Sequence, residues 1–266
     1  MNNKTILLTG ATGGIGAAIA KLMNEQGAML VLIGRNTNKL NELKEDLGEK
    51  HITIQADIAS ELGRRCVADT CKNLEQGIDV LINNAGIGQF ELFEQMTEEQ
   101  ISQIININLT STLLLTQALL TTLQKQNKAQ IINIGSTFGS IGFPGCSVYC
   151  AGKFAIKGFS EALRRELMGS NVNVQYFAPR ATKTSINNTY VGAMNKELGS
   201  AIDEPEEVAK QLLSFIKTEG GQYFVGWPEK LFVRLNGLLP SLVESSIVKK
   251  LPRIKHYLAA AKDNQA

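Results

Sequence analysis

The sequence has only two histidines, His51 and His256, and its four cysteines (Cys66, Cys71, Cys146, Cys150) fall outside paired metal-ligand spacings. A zinc site needs closely spaced Cys or His clusters, so no metal site is expected. The thiols read as free, buried groups of a reducing compartment. An excess of charge of one sign is also missing. With 27 basic and 25 acidic residues the net charge is +2, which exerts no overall pull on nucleic acid or anionic membrane. The N-terminus, MNNKTILLTG, carries one lysine and a short apolar run that stops at glycine, too little for a signal peptide. The stretches 100–124 and 129–152 are uncharged. However, the first contains Gln103, Asn106, Asn108, Thr110 and Gln117, and the second Pro144 among several glycines, so neither is expected to span lipid. A soluble, cytoplasmic chain is the expectation.

What is present is core material: 44% of the residues are hydrophobic and 20% charged, which excludes disorder. Short β-type runs (Thr5–Thr9, Met29–Ile33, His51–Gln55, Asp79–Ile82, Gln130–Ile134, Val172–Phe177, Gln222–Val225) alternate with helical patterns. These lie near 14–26, 37–47, 60–75, 98–125, 148–168 and 204–217. Near-continuous apolar strands separated by helices imply an α/β fold: a doubly wound, Rossmann-type parallel sheet with helices on both faces. No linker or repeat divides the chain. One domain, 1–226, is expected, with a C-terminal helical appendage over 227–266.

Directly after the first strand, Thr9-Gly10-Ala11-Thr12-Gly13-Gly14-Ile15-Gly16 opens a helix. Glycines there permit a tight turn and close approach of a pyrophosphate, whose charge the helix N-terminus holds. The second strand ends Ile33-Gly34-Arg35, with arginine where an acid would bind the ribose hydroxyls of NAD. A guanidinium suits the 2′-phosphate of NADP(H); the alternative is a solvated arginine at a loop.

In these features the chain resembles the short-chain dehydrogenase/reductase family over about residues 4–226. The glycine turn has the form T-G-x-x-x-G-x-G, Asn83-Asn84-Ala85-Gly86 matches N-N-A-G, and Tyr149-Cys150-Ala151-Gly152-Lys153 matches Y-x-x-x-K. Ser136 stands thirteen residues before Tyr149, and Asn108 matches the family's helix asparagine. The resemblance implies a catalytic set of Asn108, Ser136, Tyr149 and Lys153. It implies cofactor contacts from Gly10, Thr12, Gly13, Gly14, Ile15 and Gly16, from Arg35, and from Asp57 and Ile58 beside the adenine. Asn84, Ala85, Gly86, Tyr149 and Lys153 would follow, with Pro179, Thr182 and Thr184 beside the nicotinamide. The usual glycine after Pro179 is Arg180, either a contact to substrate or cofactor or a substitution tolerated by the loop.

The implied chemistry is carbonyl reduction to an alcohol. Tyr149 gives a proton to the carbonyl oxygen, Ser136 donates to the same oxygen, and Lys153 lowers the phenol pKa and bonds the nicotinamide ribose. Asn108 would hold a water linking Lys153 to solvent. The rival function is an NADP(H)-binding regulator with little turnover. Family membership also implies a homo-oligomer.

In the appendage, Leu235, Leu239, Val243, Ile247 and Leu251 recur at four-residue steps, with Gly237 and Pro240 expected to interrupt the helix. Six basic residues face two acidic ones between 229 and 256. The appendage reads as a lid over the substrate cleft, or as contact with an acyl substrate or a membrane surface. Each favours a hydrophobic carbonyl substrate.

Overall fold

Alternate residues of the inner strands are buried on opposite sides of one sheet, which is why these runs read as continuously apolar. In β1 (Thr5–Thr9) Ile6 and Leu8 face one core and Leu7 the other; in β2 (Met29–Gly34) Leu30 and Leu32 separate in the same way from Val31 and Ile33. The computed structural model describes residues 1–184, 186 and 189–263. Five more strands complete a seven-stranded parallel sheet: β3 (Ile52–Gln55), β4 (Val80–Asn83), β5 (Ala129–Ile134), β6 (Val172–Ala178) and β7 (Gln222–Phe224), in the order β3-β2-β1-β4-β5-β6-β7.

Helices α1 (Gly14–Glu25), α2 (Thr37–Leu47) and α8 (Pro205–Ile216) cover one face through Ile19, Met23, Leu40, Leu212 and Phe215. Helices α3 (Glu61–Lys72), α5 (Ser111–Gln124) and α6 (Ser147–Glu166) cover the other through Val67, Leu115, Leu119 and Leu163. The strand order reverses between β1 and β4, and at such a switch point a crevice opens beyond the carboxyl ends of the strands. His51, just before β3, is a buried structural group. Its Nδ1 accepts the Leu30 N–H at 3.1 Å, which leaves Nε2–H to donate to Asn24 Oδ1 at 3.0 Å.

Four sequence expectations need correction. The helix expected over 98–125 is α4 (Glu98–Ile105) and α5 joined by a π-type turn over Asn106–Thr110. Within the run Glu98–Gln124, a window of 18 residues has mean hydropathy 1.3, so the helix is long and apolar enough to cross a bilayer by length and composition. Its polar residues are too few to prevent that, but here Leu115, Leu119 and Leu123 are buried against the sheet. Cys66 is exposed rather than buried. In the appendage, Gly237 lies inside α9 (Glu229–Leu238), and the break falls at Leu239, before α10 (Pro240–Asp263). Leu239 therefore leaves the stripe and is exposed, while the buried line runs through Val243, Ile254 and Leu258. Ile254 and Leu258 cluster with Val191 and Met194 of α7 (Thr189–Glu197), a helix the sequence pattern did not announce, with Phe90 and Phe143 packed against them.

Candidate active site

The glycine turn is held open at the switch point by Thr9 and Asn84. Buried Thr9 Oγ1 accepts the N–H groups of Asn84 and Ala85, both at 3.0 Å. The Asn84 amide donates to Thr9 O and Gly10 O, both at 3.1 Å. Gly10 has φ +63°, and a Cβ there would lie 2.9 Å from Ala85 Cα; one at Gly16 would lie 2.1 Å from Gly10 O. The turn has no space for side chains. Helix α1 begins behind it with Gly13 as a cap that offers no side-chain acceptor, and its first turn holds no acid. Its leading N–H groups are thus left to an anion, and the residues fit a dinucleotide pyrophosphate.

A cavity of about 590 Å³ runs from this turn past the ends of β2, β4 and β5. It brings together every cofactor residue named from the sequence: the turn from Gly10 to Gly16 (Ala11 apart), Arg35, Asp57, Ile58, Asn84, Ala85, Gly86, Tyr149, Lys153, Pro179, Thr182 and Thr184. Ser136 lines it as well; Asn108 does not. Lys39 and Asn36 join Arg35 in the same cavity. Asn36 caps α2 by accepting the Lys39 N–H at 3.0 Å, which sets Lys39 in the first turn beside Arg35. Both cations are exposed, and neither has a carboxylate within salt-bridge distance among the described residues. The legible signal for Lys39 was its place four residues after Arg35, in the first turn of a helix.

At the other end, Tyr149 and Lys153 lie one turn apart on α6, with Lys153 Nζ 5.7 Å from the Tyr149 ring centroid. Lys153 is buried and donates to Ile134 O at 2.9 Å, which leaves two of its three N–H groups for a ligand. Burial away from any carboxylate lowers its pKa to about 8. Burial likewise pushes the Tyr149 phenol up to about 12, and interaction with the Ser136 side chain only partly opposes this. In the protein alone the net shift of Tyr149 is therefore upward, because loss of water disfavours the phenolate.

Ser136 is fixed from β6. The Tyr176 hydroxyl donates to Ser136 O at 3.0 Å and accepts the Ser136 N–H at 3.3 Å, while Ser136 Oγ accepts the Phe138 N–H at 3.1 Å. The serine hydroxyl is directed at the Tyr149 oxygen. Tyr176 escaped the sequence analysis because it reads as an ordinary strand residue. The Asn108 amide donates to Ile87 O and its Oδ1 accepts the Ile87 N–H, both at 2.8 Å. The π-type turn aims this side chain at the Gly86–Ile87 backbone, so it braces the cavity wall.

Arg180 lines the cavity and is committed to Asp203 and Glu229. Hydrogen bonding to Asp203 first, and then the charges of both carboxylates, raise its pKa against the opposing effect of burial. Beyond Tyr149 the cavity wall is Phe90, Phe143, Cys146, Val191 and Met194, with Phe138 stacked on Phe143 at 4.9 Å. Burial pushes the Cys146 thiol pKa upward, which favours the neutral thiol over the thiolate.

The family model for short chain dehydrogenase matches residues 4–195. The chain belongs to the short chain dehydrogenase family. It is 30% identical over 231 residues to the 3-oxoacyl-(acyl-carrier-protein) reductase of Haemophilus influenzae, covering 85% of this chain and 95% of that one. An uncharacterized oxidoreductase of Staphylococcus saprophyticus is 33% identical over 210 residues, 77% of this chain and 84% of the relative. Among solved structures, a short-chain dehydrogenase from Sphingobium yanoikuyae in complex with NADPH superposes with TM-score 0.76 at 28% identity. That match covers 91% of this chain and 95% of that one. The protein is therefore a short chain dehydrogenase-type oxidoreductase with a Rossmann-like fold and additional C-terminal helices.

Proposed function

We propose that this oxidoreductase reduces an apolar ketone, aldehyde or 3-oxoacyl group with NADPH. The observation that carries this is one cavity with three differently built parts. Arg35 and Lys39 stand at the proposed adenosine end with no carboxylate within salt-bridge distance among the described residues, Ser136, Tyr149 and Lys153 share the middle, and the far wall is mostly apolar. Two cations side by side favour a 2′-phosphate over a bare ribose. The relatives support the same reading: one is named a 3-oxoacyl reductase and another was solved with NADPH.

When bound, the nicotinamide supplies the hydride. The Ser136 hydroxyl donates to the carbonyl oxygen and steadies the negative charge that develops there. Tyr149 delivers the proton to that oxygen. With its pKa raised to about 12 the phenol is protonated across the neutral range and holds the proton that reduction needs. Lys153, positively charged at neutral pH, offsets the charge left on Tyr149 and offers N–H groups to the ribose. Arg180 is already held by two carboxylates and has no free charge for an anionic substrate, which favours a substrate uncharged near the carbonyl.

The test is oxidation of NADPH and NADH with a series of alkyl ketones, alkyl aldehydes and 3-oxoacyl thioesters. Turnover that is faster with NADPH and rises with chain length supports the proposal. Tight NADPH binding without turnover of any carbonyl would establish a regulator instead.

A further inference from the structure

Helix α9 and the first half of α10 carry large apolar side chains that the fold leaves exposed. Leu231, Phe232, Leu238, Leu239, Leu242 and Val248 are all exposed, Leu238 by 78% and Leu242 by 60%. Interspersed among them in the same two helices are Arg234, Lys249, Lys250 and Lys255, none with a carboxylate within salt-bridge distance among the described residues. Of the two acids in these helices before residue 256, Glu229 is taken by Arg180, which leaves Glu244. On its inner side, α10 buries Ile254 and Leu258 in the cluster that contains Phe90, Phe143, Val191 and Met194, four residues of the cavity's apolar wall.

From this arrangement we infer that α9 and α10 dock the enzyme on an anionic phospholipid surface. The leucines enter the boundary of the acyl region and the lysines and arginine meet the headgroups, the division of labour of an interfacial amphipathic helix. Charge complementarity selects this occupant. A second copy joined symmetrically through the same helices would set these unpaired cations against their own equivalents. The inference gives the proposed reductase a source of substrate, a carbonyl carried in lipid that reaches the cavity beside α10. It rests on that reading for the substrate but not for the docking.

The test is co-sedimentation of the full chain with vesicles of equimolar phosphatidylcholine and phosphatidylglycerol, against vesicles of phosphatidylcholine alone. Wild type is expected to pellet with the mixed vesicles at low salt, and much less at high salt or with phosphatidylcholine alone. Leu238→Glu with Leu242→Glu is expected to abolish pelleting, and Lys249→Glu with Lys250→Glu to weaken it roughly tenfold or more. Leu238, Leu242 and Lys249 are exposed and Lys250 is half-buried, and unchanged NADPH affinity verifies the fold of both variants. Tyr149→Phe is expected to pellet like wild type, so docking is read independently of turnover. Wild type remaining in the supernatant, or variants that pellet as wild type does, would overturn the inference. So would a lipid-free assembly that Leu238→Glu with Leu242→Glu dissociates, because these helices would then form a contact between copies.

Discussion

Arg180 grips Asp203 with two parallel bonds, Nε to Oδ2 at 2.9 Å and Nη2 to Oδ1 at 2.7 Å. Its third nitrogen, Nη1, reaches Glu229 Oε2 at 3.1 Å and Trp227 O at 3.2 Å. One side chain thereby ties the Pro179–Thr184 segment to the entrance of α8 and to the start of α9. The side chains of Arg180 and Asp203 are 17% and 9% exposed, so the bond is largely shielded from water. Arg180→Ala leaves two carboxylates without their cation. It is expected to lower stability by about 2–3 kcal/mol, less than for a fully buried pair. A urea midpoint equal to wild type contradicts this, and a double-mutant cycle with Asp203→Ala isolates the coupling.

Tyr149→Phe removes the proposed proton donor and leaves the cavity walls in place. NADPH affinity is expected to stay near wild type while kcat for carbonyl reduction falls by a factor on the order of 10²–10⁴. Retention of more than about a tenth of the activity would exclude Tyr149 as the donor, since positioned acids contribute more than that.

Arg35→Ala is expected to weaken NADPH by roughly 1.5–3 kcal/mol, the range for hydrogen bonds to charged groups, with NADH little changed. Lys39→Ala should shift the preference in the same direction, and the double variant should approach parity between the cofactors. Fluorescence titration with both nucleotides measures this. Equal losses for the two nucleotides would mean that these cations read no phosphate.

Lys153 imposes a pH dependence whose sign follows from its lowered pKa. Between about 8 in the folded protein and 10.5 unfolded, the unfolded chain binds more protons, so stability rises with pH across that window. As pH falls through about 8 this contribution is lost. Lys153→Met removes the titration. Between pH 7.5 and 10 wild type is expected to gain on the order of 1–3 kcal/mol relative to the variant, measured by denaturant unfolding at both pH values. A difference that does not change with pH would show that burial does not perturb this lysine.

Ile254 has no exposure and sits in the cluster that backs the cavity. Ile254→Ala is expected to cost about 2–4 kcal/mol of stability by opening a void. It should also reduce kcat/KM for a long alkyl carbonyl more than for a short one. If the two substrates lose equally, the α10 contact does not shape the substrate end.

By itself the sequence determined the element order, the parallel sheet and the order of the motifs, because those depend on local periodicity and on turn chemistry. Tyr149 and Lys153 four apart on a helix, and glycines between a strand and a helix, are legible without a partner. Other outcomes depended on residues brought together from distant parts of the chain. Arg180 could be assigned only once Asp203 and Glu229 were seen beside it. Asn108 turned toward Ile87 because of a π-type turn that no spacing announces. The Tyr149 phenol rose in pKa because water is excluded, a property of the packed cavity and not of the i, i+4 pair. In the appendage the periodicity gave the helices, but which leucines were buried depended on α7. Burial and charge pairing are properties of surroundings assembled over long sequence separations, and only the tertiary structure decided them.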